Sequence, residues 1–277
     1  MYRSCSKENN RPRPTYYSKR IALLSCLRSL EQSNACWEVI FLNDGVIRDD
    51  LLEPMRRYGH VVACDSLGLA GSYRRAVRLA GTKSWAPDDL VYVVEDDYLW
   101  RPEAFKQIMA AHAELQGPAY LSSYGTPEER ASGARLFLVD QQVWVVADSC
   151  TSTMAAERRI WSSDRFMHWL GPWAGGAWDR TLNLTSRGEL PYTWSQRFRA
   201  EVQPQPLSGT VKHSVKRVGA RALLNVLSLG YRLRPRVLYM PLPEQATHLM
   251  LPPMLAEGTD WEAVARDTEA WAAKLEV

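Results

Sequence analysis

Short apolar runs alternate with longer amphipathic stretches through the first half of this 277-residue sequence. The apolar runs have the length and residue types of strands, and residues 90–94 give the strongest such signal. Strands separated by helical stretches of roughly 10 to 15 residues indicate βαβ units and a mostly parallel, Rossmann-like α/β sheet flanked by helices. The predicted strands span residues 37–42, 61–64, 90–94 and 119–123, and the predicted helices span 22–30, 67–80 and 102–115.

The second half of the sequence is less regular, and its elements follow no simple alternation. The segments predicted there are a hairpin at 136–147, a helix at 153–170, a Trp- and Gly-rich loop at 171–178, a strand at 237–242 and a closing amphipathic helix at 261–275. We therefore expect a regular sheet-forming part followed by a more elaborate C-terminal part within one continuous domain.

Three carboxylates, Glu95, Asp96 and Asp97, follow directly after the strongest predicted strand. Ligands of open parallel sheets bind beyond the carboxyl ends of the strands, where the Asn43-Asp44-Gly45 turn is also expected. Side chains alternate along an extended segment, so Glu95 and Asp97 are expected to point the same way. Two carboxylates with room for water and phosphate suit a hard cation such as Mn²⁺ or Mg²⁺. The alternative is a solvated acidic turn before a helix that starts near Pro102.

Four segments of the first half combine into one pattern: Asn10-Arg11, Phe41-Leu42-Asn43-Asp44-Gly45, residues 68–74 (Gly-Leu-Ala-Gly-Ser-Tyr-Arg) and Glu95-Asp96-Asp97. This pattern resembles the nucleotide-sugar glycosyltransferases of the GT-A fold, close to the large family-2-like group. The acidic triplet stands where that family has its DxD metal motif. The resemblance covers roughly residues 1–125, with Glu95 replacing the first Asp of the triplet and Asn43 replacing an Asp of the second segment.

The resemblance implies a metal-dependent transferase that moves a sugar from a nucleotide-diphosphate donor, of UDP or GDP type, to an acceptor hydroxyl. A cation that bridges two phosphates stabilises the departing nucleoside diphosphate while the sugar carbon becomes oxocarbenium-like. By the same resemblance, residues 1–125 form the nucleotide-sugar-binding half and residues 126–277 the acceptor-binding half of one domain. The donor-binding residues that it implies are Asn10, Arg11, Asn43, Asp44, Gly71, Arg74, Glu95 and Asp96.

The implied metal ligands are Asp97 and His248. His248 follows the predicted strand at 237–242, and several GT-A enzymes that resemble this sequence complete the metal site with a C-terminal His. Imidazole suits Mn²⁺ better than Mg²⁺, so manganese is the favoured cofactor. The alternative for a lone His is a structural role. Arg11, Arg13 and Arg74 are candidates for guanidinium contacts to the diphosphate, or else solvated surface residues.

Residues 144–194 are rich in Trp and also contain Asp148, Asp164 and Asp179. Aromatic faces stack on sugar rings, and a nearby carboxylate can take the proton of an acceptor hydroxyl. We therefore predict the acceptor side here, with Asp164 as the preferred base of an inverting enzyme, while inversion and retention both stay open. The Trp residues considered for this side are Trp161, Trp169, Trp173, Trp178 and Trp194, each with a place in the core as the alternative.

Residues 202–243 contain no Asp or Glu and carry seven Lys and Arg residues. Three alternatives are open for this basic segment: a surface helix on anionic lipid or a phosphorylated acceptor, a loop that folds over the donor, or a core-packed helix with a solvated basic face. The whole chain has a net charge of +3, which is too balanced for a protein that mainly binds nucleic acid.

Two further features bear on location and class. Five scattered Cys residues without CxxC spacing, and no apolar run of 18 residues, predict a reduced, cytoplasmic protein.

A nucleotidyltransferase that makes an activated sugar is one alternative function, although its Gly-rich signature with an Arg and a Pro-Lys pair is absent near the N-terminus. A non-catalytic sugar- or nucleotide-binding module is the other, and metal-dependent turnover separates it from a transferase. Oligomeric state stays open.

Overall fold

A mixed sheet forms the centre of the fold. The computed structural model describes residues 1–6, 11–115, 117, 119–125, 135–150, 153–193, 211–251 and 255–275, with the backbone alone at 211–214. Within these residues the central sheet has nine strands: β1 (Tyr2–Cys5), β2 (Ile40–Asp44), β3 (His60–Cys64), β4 (Leu90–Glu95), β6 (Ala119–Leu121), β7 (Leu136–Val139), β8 (Gln142–Ala147), β9 (Met154–Glu157) and β10 (Val237–Leu242). The short strands β5 (Tyr98–Trp100) and β11 (Ala246–His248) pair with each other separately.

The strand order of the large sheet is β3-β2-β1-β4-β9-β6-β10-β8-β7. β1 lies between β2 and β4 and is parallel to both, and β3 is parallel to β2. β8 and β9 run antiparallel to their neighbours, and the other seven described strands of this sheet share one direction. The sheet is therefore mostly parallel, which confirms the predicted fold class. Its register sets Cys5 opposite Asp44 and Arg3 opposite Glu95, so these strand ends meet at one edge.

Helices cover both faces of this sheet. They are α1 (Lys19–Gln32), α2 (Asp49–Tyr58), α3 (Gly68–Thr82), α4 (Ala104–Glu114), α5 (Arg158–Ala174), α6 (Trp178–Ser186), α7 (Val211–Tyr231) and α8 (Trp261–Lys274). Alternate side chains of β2 enter different cores: Leu42 packs with α3 and α5, whereas Phe41 packs with α1 and α2. No helix in the described part of the chain is long and apolar enough to cross a membrane.

The predicted strands at 61–64, 90–94, 119–123 and 237–242, the hairpin at 136–147 and the closing helix are confirmed within a few residues. The prediction of a helix from residue 153 is wrong at its start, because Met154–Glu157 form β9. Met, Ala and Glu are good helix formers. This segment nevertheless pairs with β4, with Ala156 opposite Val91, because its place between β4 and β6 supplies backbone hydrogen bonds on both sides.

The predicted loop at 171–178 is also largely wrong. α5 continues through Gly171 and Pro172 to Ala174, and α6 already begins at Trp178. A Cβ at Gly171 would lie 2.9 Å from the Leu182 side chain, so glycine permits close contact between α5 and α6. Gly175 ends α5 with a φ of 70°, a conformation that glycine adopts without steric cost.

The basic segment is helical where it is described, and residues 202–210 lie outside the described residues. α7 packs against α5 and α6 through Ala220 and Leu224, which agrees with the alternative of a core-packed helix. That alternative also predicted a solvated basic face on the outward side of the helix, and this side is instead mainly apolar. Strands of both predicted halves share one sheet, and the functional division near residue 125 stays a prediction.

A buried polar network ties α3, β6 and α5 together. The Tyr73 hydroxyl lies 2.7 Å from Nδ1 of His168, and the Tyr120 hydroxyl lies 2.8 Å from Nε2 of the same ring. The Tyr120 hydroxyl donates to Asp164 at 2.8 Å, and Arg236 donates to Asp164 at 3.2 Å. Because Tyr120 gives its proton to Asp164, it must accept one from Nε2 of His168. Burial lowers the pKa of this ring and keeps it neutral at pH 7, so Nδ1 carries no proton and accepts from the Tyr73 hydroxyl.

This network predicts a loss of stability in mild acid. Burial lowers the pKa of His168 from 6.5 to about 4, although Asp164 opposes the shift. Because the unfolded chain takes up this proton first, stability is complete above about pH 6.5 and falls as the pH drops to about 4, by about 3 kcal/mol. Urea unfolding across this range measures the effect. His168→Gln should remove this part of the pH dependence and the exposed-site control His60→Gln should keep it; an unchanged profile in His168→Gln contradicts the assignment.

Candidate functional site

A cavity of about 500 Å³ opens at the carboxyl ends of β1, β2 and β4. Its walls also include the start of α3, the start of α6 and residues at β11. This is the edge at which open α/β sheets bind ligands, and it is where the sequence predicts the donor site. Six of the predicted site residues line it: Arg11, Asp44, Glu95, Asp96, Asp97 and His248.

Each carboxylate of the acidic triplet contacts one cation from the N-terminal part of the chain. The partners come from β1, the loop before α1 and the first residue of α1. The contacts are Arg3 to Glu95 at 2.7 Å, Lys19 to Asp96 at 2.9 Å and Arg13 to Asp97 at 3.1 Å. Three charges that are costly to bury alone are therefore compensated one by one.

Arg3 organises this edge, and the sequence analysis missed it. The residue is 5% exposed, and besides Glu95 its guanidinium donates to the Leu69 carbonyl at 3.1 Å and the Ser72 hydroxyl at 3.2 Å. One side chain thus joins β1 to β4 and to the first turns of α3. The four residues of β1 contain an Arg and a Ser and give no apolar run, so no pattern predicted this strand.

His248 reaches the triplet through the small second sheet. β11 pairs with β5 so that His248 lies opposite Tyr98, and the two rings stack with centroids 4.7 Å apart. Nε2 of His248 then lies 3.0 Å from Oδ2 of Asp97, and the Leu249 N–H donates to the Asp97 carbonyl at 2.9 Å. The two predicted metal ligands are therefore adjacent, although 151 residues separate them.

Asp97 and His248 offer an oxygen and a nitrogen of the types that divalent cations take as ligands. Ligand atoms at about 2.1 Å from a metal and about 90° apart lie about 3 Å from each other, which matches the separation of 3.0 Å between His248 Nε2 and Asp97 Oδ2. A carboxylate with an imidazole is a donor set that Mn²⁺ accepts. Nδ1 of His248 is buried without a hydrogen-bond partner among the described residues. No group of three or more His, Cys, Asp and Glu side chains with metal-binding geometry occurs in the described part of the chain.

The three carboxyl groups of the acidic triplet differ in the direction of their pKa shifts. Burial raises the pKa of Asp97, but the hydrogen bond from His248 and the charges of His248 and Arg13 outweigh burial and hold it below its ordinary value. Burial raises the pKa of Glu95 although Arg3 opposes it, and burial likewise raises the pKa of Asp96 against Lys19. Asp97 is therefore the member of the triplet that is most firmly ionised at neutral pH.

Asp44 fixes the loop that leads into α3. Its two carboxylate oxygens accept the backbone N–H groups of Leu67 at 2.6 Å and Gly68 at 2.7 Å. Gly68 lines the cavity with a φ of 70°, and a Cβ there would meet no atom within 4 Å. Gly71, the glycine predicted to contact the donor, lies one turn further into α3, where a Cβ would come within 2.7 Å of Leu67. The glycine at the cavity is therefore Gly68.

Three other predicted donor contacts lie away from the cavity lining or outside the described residues. Asn43 is buried between β1 and α2, where it accepts from Ser4 at 2.9 Å. Arg74 donates to the Trp169 carbonyl at 3.1 Å, and its guanidinium lies 4.4 Å from the centre of the Trp173 ring. Asn10 lies outside the described residues. Donor contacts of these residues stay predictions.

A match to a known family covers much of the first half of the molecule. Residues 14–137 match the sequence model of the family described as Glycosyl transferase family 2. These residues form a family-2-like glycosyltransferase domain. Such enzymes transfer sugars from nucleotide-sugar donors to acceptors, which supports glycosyl transfer over the nucleotidyltransferase and the non-catalytic module. No curated protein matches the chain.

The residues that the sequence favoured for the acceptor side do not all reach the cavity. Asp164, predicted as the base, is 1% exposed and belongs to the buried network with Tyr120 and Arg236, away from the cavity lining. Asp179 lines the cavity instead, together with Trp178. A role of Asp164 as base stays a prediction without support from this geometry, and its contacts indicate a structural ion pair.

The remaining aromatic and acidic candidates divide between core and surface. Trp161 is fully buried, whereas Trp169 is exposed on α5. Asp148 forms an ion pair with Arg187. Trp194 lies outside the described residues. Of the predicted Trp residues, Trp178 is the one that reaches the cavity of the glycosyltransferase in the described chain.

The Arg3–Glu95 pair gives a prediction about stability. Arg3→Met leaves Glu95 buried without its cation, so we expect a loss of about 3–5 kcal/mol in the free energy of unfolding. Arg3→Met combined with Glu95→Gln should recover part of that loss, because no unpaired charge remains. Urea unfolding of the two single variants and the double variant measures the coupling.

The control for this comparison of single and double variants is the exposed ion pair between Arg48 and Asp50. Arg48→Met should cost less than about 1 kcal/mol, because water solvates the remaining carboxylate. Equal small losses at both positions would show that Arg3 does not hold this edge together.

Proposed function

We propose that the chain is a metal-dependent transferase that moves a sugar from a nucleotide-diphosphate donor to an acceptor hydroxyl. Mn²⁺, or Mg²⁺ in its place, would be held by Asp97 and His248, whose facing atoms lie 3.0 Å apart. The metal would act as a Lewis acid and neutralise the charge that develops on the leaving diphosphate. UDP and GDP are the donor types proposed for testing, and a cytoplasmic location stays a prediction.

The charge of the cavity carries this proposal. Among the described residues that line it, there are five carboxylates and two guanidinium groups. The carboxylates are Asp44, Glu95, Asp96, Asp97 and Asp179, and the guanidinium groups are Arg3 and Arg11. Arg13 and Lys19 compensate two more charges from behind the lining, so the five carboxylates face four cations. The cavity therefore offers a diphosphate anion no net positive charge, and a cation that accompanies the anion would supply it.

Other residues at the cavity would contact the donor or shape the space that it occupies. Arg3 and Arg11 lie in the wall of the cavity, where guanidinium groups favour contacts with phosphate oxygens. Gly68 leaves open space at the first turn of α3, so the donor can approach the backbone closely. Asp44 holds that turn through its two N–H contacts and so shapes the donor side.

We propose Asp179 as the base towards the acceptor. A hydroxyl that attacks the anomeric carbon directly must lose a proton, and a carboxylate within reach accelerates this step. Asp179 lines the cavity from α6, whereas the triplet lines it from the end of β4, so the two can contact different ends of a donor–acceptor pair. Trp178 beside it offers an aromatic surface for the sugar or acceptor.

Metal-dependent donor binding can be measured by thermal unfolding. With UDP or GDP at about a hundredfold over Kd and Mn²⁺ present, binding adds about 2.7 kcal/mol and raises Tm by about 5 °C or more. We expect no such shift for the nucleotide without metal. Asp97→Asn and His248→Gln should each abolish the metal-dependent part of the shift.

Matched controls are Asp88→Asn, an exposed carboxyl before the opposite end of β4, and His60→Gln on the exposed edge strand. Both should keep the full shift. Equal stabilisation with and without Mn²⁺ would contradict the metal assignment, and no stabilisation by any nucleoside diphosphate would contradict the donor assignment.

The base assignment is tested by kinetics. Asp179→Asn should lower kcat by about 10²- to 10⁴-fold while leaving the nucleotide-dependent Tm shift intact. Asp164→Asn, which alters the buried network, should lower Tm but retain kcat at temperatures where it is folded. The opposite result, with kcat lost in Asp164→Asn and kept in Asp179→Asn, would contradict the assignment of Asp179 and would identify Asp164 as the base.

A further inference from the structure

α7 has two faces of different character. Its inner face is fixed by packing and hydrogen bonds: Leu224 is buried in the core with α5 and α6, and Asn225 exchanges two hydrogen bonds with the backbone of Tyr192, at 2.7 and 3.1 Å. The Arg221 guanidinium, also buried, donates to the Ala174 carbonyl at the end of α5 at 3.0 Å. These contacts determine which side of the helix points outward.

The outward face is apolar along its whole described length. Val215 is 65% exposed, Val226 63% and Leu233, just beyond the helix, 87%. Leu223 and Leu229 are exposed between them, and the intervening positions are the exposed Gly219 and Gly230 and the half-buried Ala222. The spacing of three to four residues makes this one continuous stripe on the helix surface. We call residues 215, 219, 222, 223, 226, 229, 230 and 233 the outer stripe.

Basic residues stand at both ends of the outer stripe. Exposed Lys216 lies at its first end, and exposed Arg234 follows the end of the helix. Arg217 lies beside Gly175 at the end of α5, and Arg232 donates to the Gly188 carbonyl at 3.2 Å, so these two side chains point towards the protein. No Asp or Glu occurs from residue 202 to residue 243, so no acidic side chain of this segment neutralises them. An apolar stripe with cationic ends is the composition of a helix that lies in a membrane interface.

We propose that α7 binds an anionic lipid bilayer through the outer stripe, with its basic ends on the lipid phosphates. A helix of 21 residues is about 30 Å long, so it covers several headgroups when it lies flat. A second copy of the chain fits less well, because two outer stripes in contact bring one basic end against another in either helix direction. Anionic lipid matches both the apolar centre and the positive ends.

This contact sets the cavity close to the lipid surface. α7 packs against α6, and α6 begins with Trp178 and Asp179 in the cavity wall. The lipid-bound face is therefore one helix layer from the side where we place the acceptor. The lipid contact itself does not depend on the proposed reaction, because it requires only the exposed face of α7.

Vesicle flotation of the full chain tests this proposal. The probes are phosphatidylglycerol vesicles and phosphatidylcholine vesicles of equal size. We expect binding to phosphatidylglycerol that weakens as salt is added, and little binding to phosphatidylcholine. Lys216→Gln with Arg234→Gln should weaken binding by about 25-fold, since each basic residue near the surface contributes about fivefold. Leu223→Ser with Val226→Ser should weaken it by about tenfold or more.

Matched controls separate this surface from general charge and exposed apolar area. Arg56→Gln with Lys106→Gln removes two exposed cations outside the segment, and Leu136→Ser with Leu138→Ser removes two exposed Leu residues on the edge strand β7. Both controls should bind as the unaltered chain does. Thermal unfolding of every variant confirms that each is folded, and the nucleotide-dependent Tm shift reports separately on the proposed donor site.

Two results would overturn the proposal: no binding to phosphatidylglycerol vesicles, or binding that the α7 variants and the controls weaken equally. A dimer in solution that dissociates in Leu223→Ser with Val226→Ser would assign the outer stripe to a second copy of the chain and would also overturn it.

Discussion

Arg3 on β1 and Glu95 on β4 form an ion pair inside the sheet edge, where neither charge is tolerated alone. Their contact of 2.7 Å follows from the parallel register that sets these residues opposite each other. The same guanidinium reaches the Leu69 carbonyl and the Ser72 hydroxyl, so the start of α3 is fixed by the pair as well. The positions of Gly68, of the acidic triplet and of the cavity between them all depend on this contact.

Around this pair, cations from the N-terminal segment compensate the carboxylates of the cavity. Lys19 and Arg13 compensate Asp96 and Asp97, and neither residue lines the cavity itself. The cations therefore stabilise the fold of the site from behind. Among the three carboxylates of the triplet, Asp97 is held in its ionised form, which supports the proposal that it would bind a divalent cation.

The sequence predicted those parts of the fold that local patterns encode. The strand at 90–94 and the hairpin at 136–147 form where apolar periodicity and turn residues indicate them. Prediction failed at 153–157, where helix-forming residues occupy a strand because neighbours on both sides supply hydrogen bonds. It failed again at 171–174, where Gly171 and Pro172 suggest a loop but close packing against Leu182 favours a helix.

By itself the sequence determined the α/β alternation, the acidic triplet at a strand end, and the family resemblance that pointed to His248 and to a donor site. Only the tertiary structure decided which cation meets which carboxylate, since Arg3 and Glu95 are 92 residues apart. It also decided that Asp164 lies in a buried network while Asp179 faces the cavity, and that α7 presents an apolar face outward. Local patterns specify which residues favour a strand or a helix. Strand register and helix packing, which join distant segments, decide which side chains meet and which stay exposed.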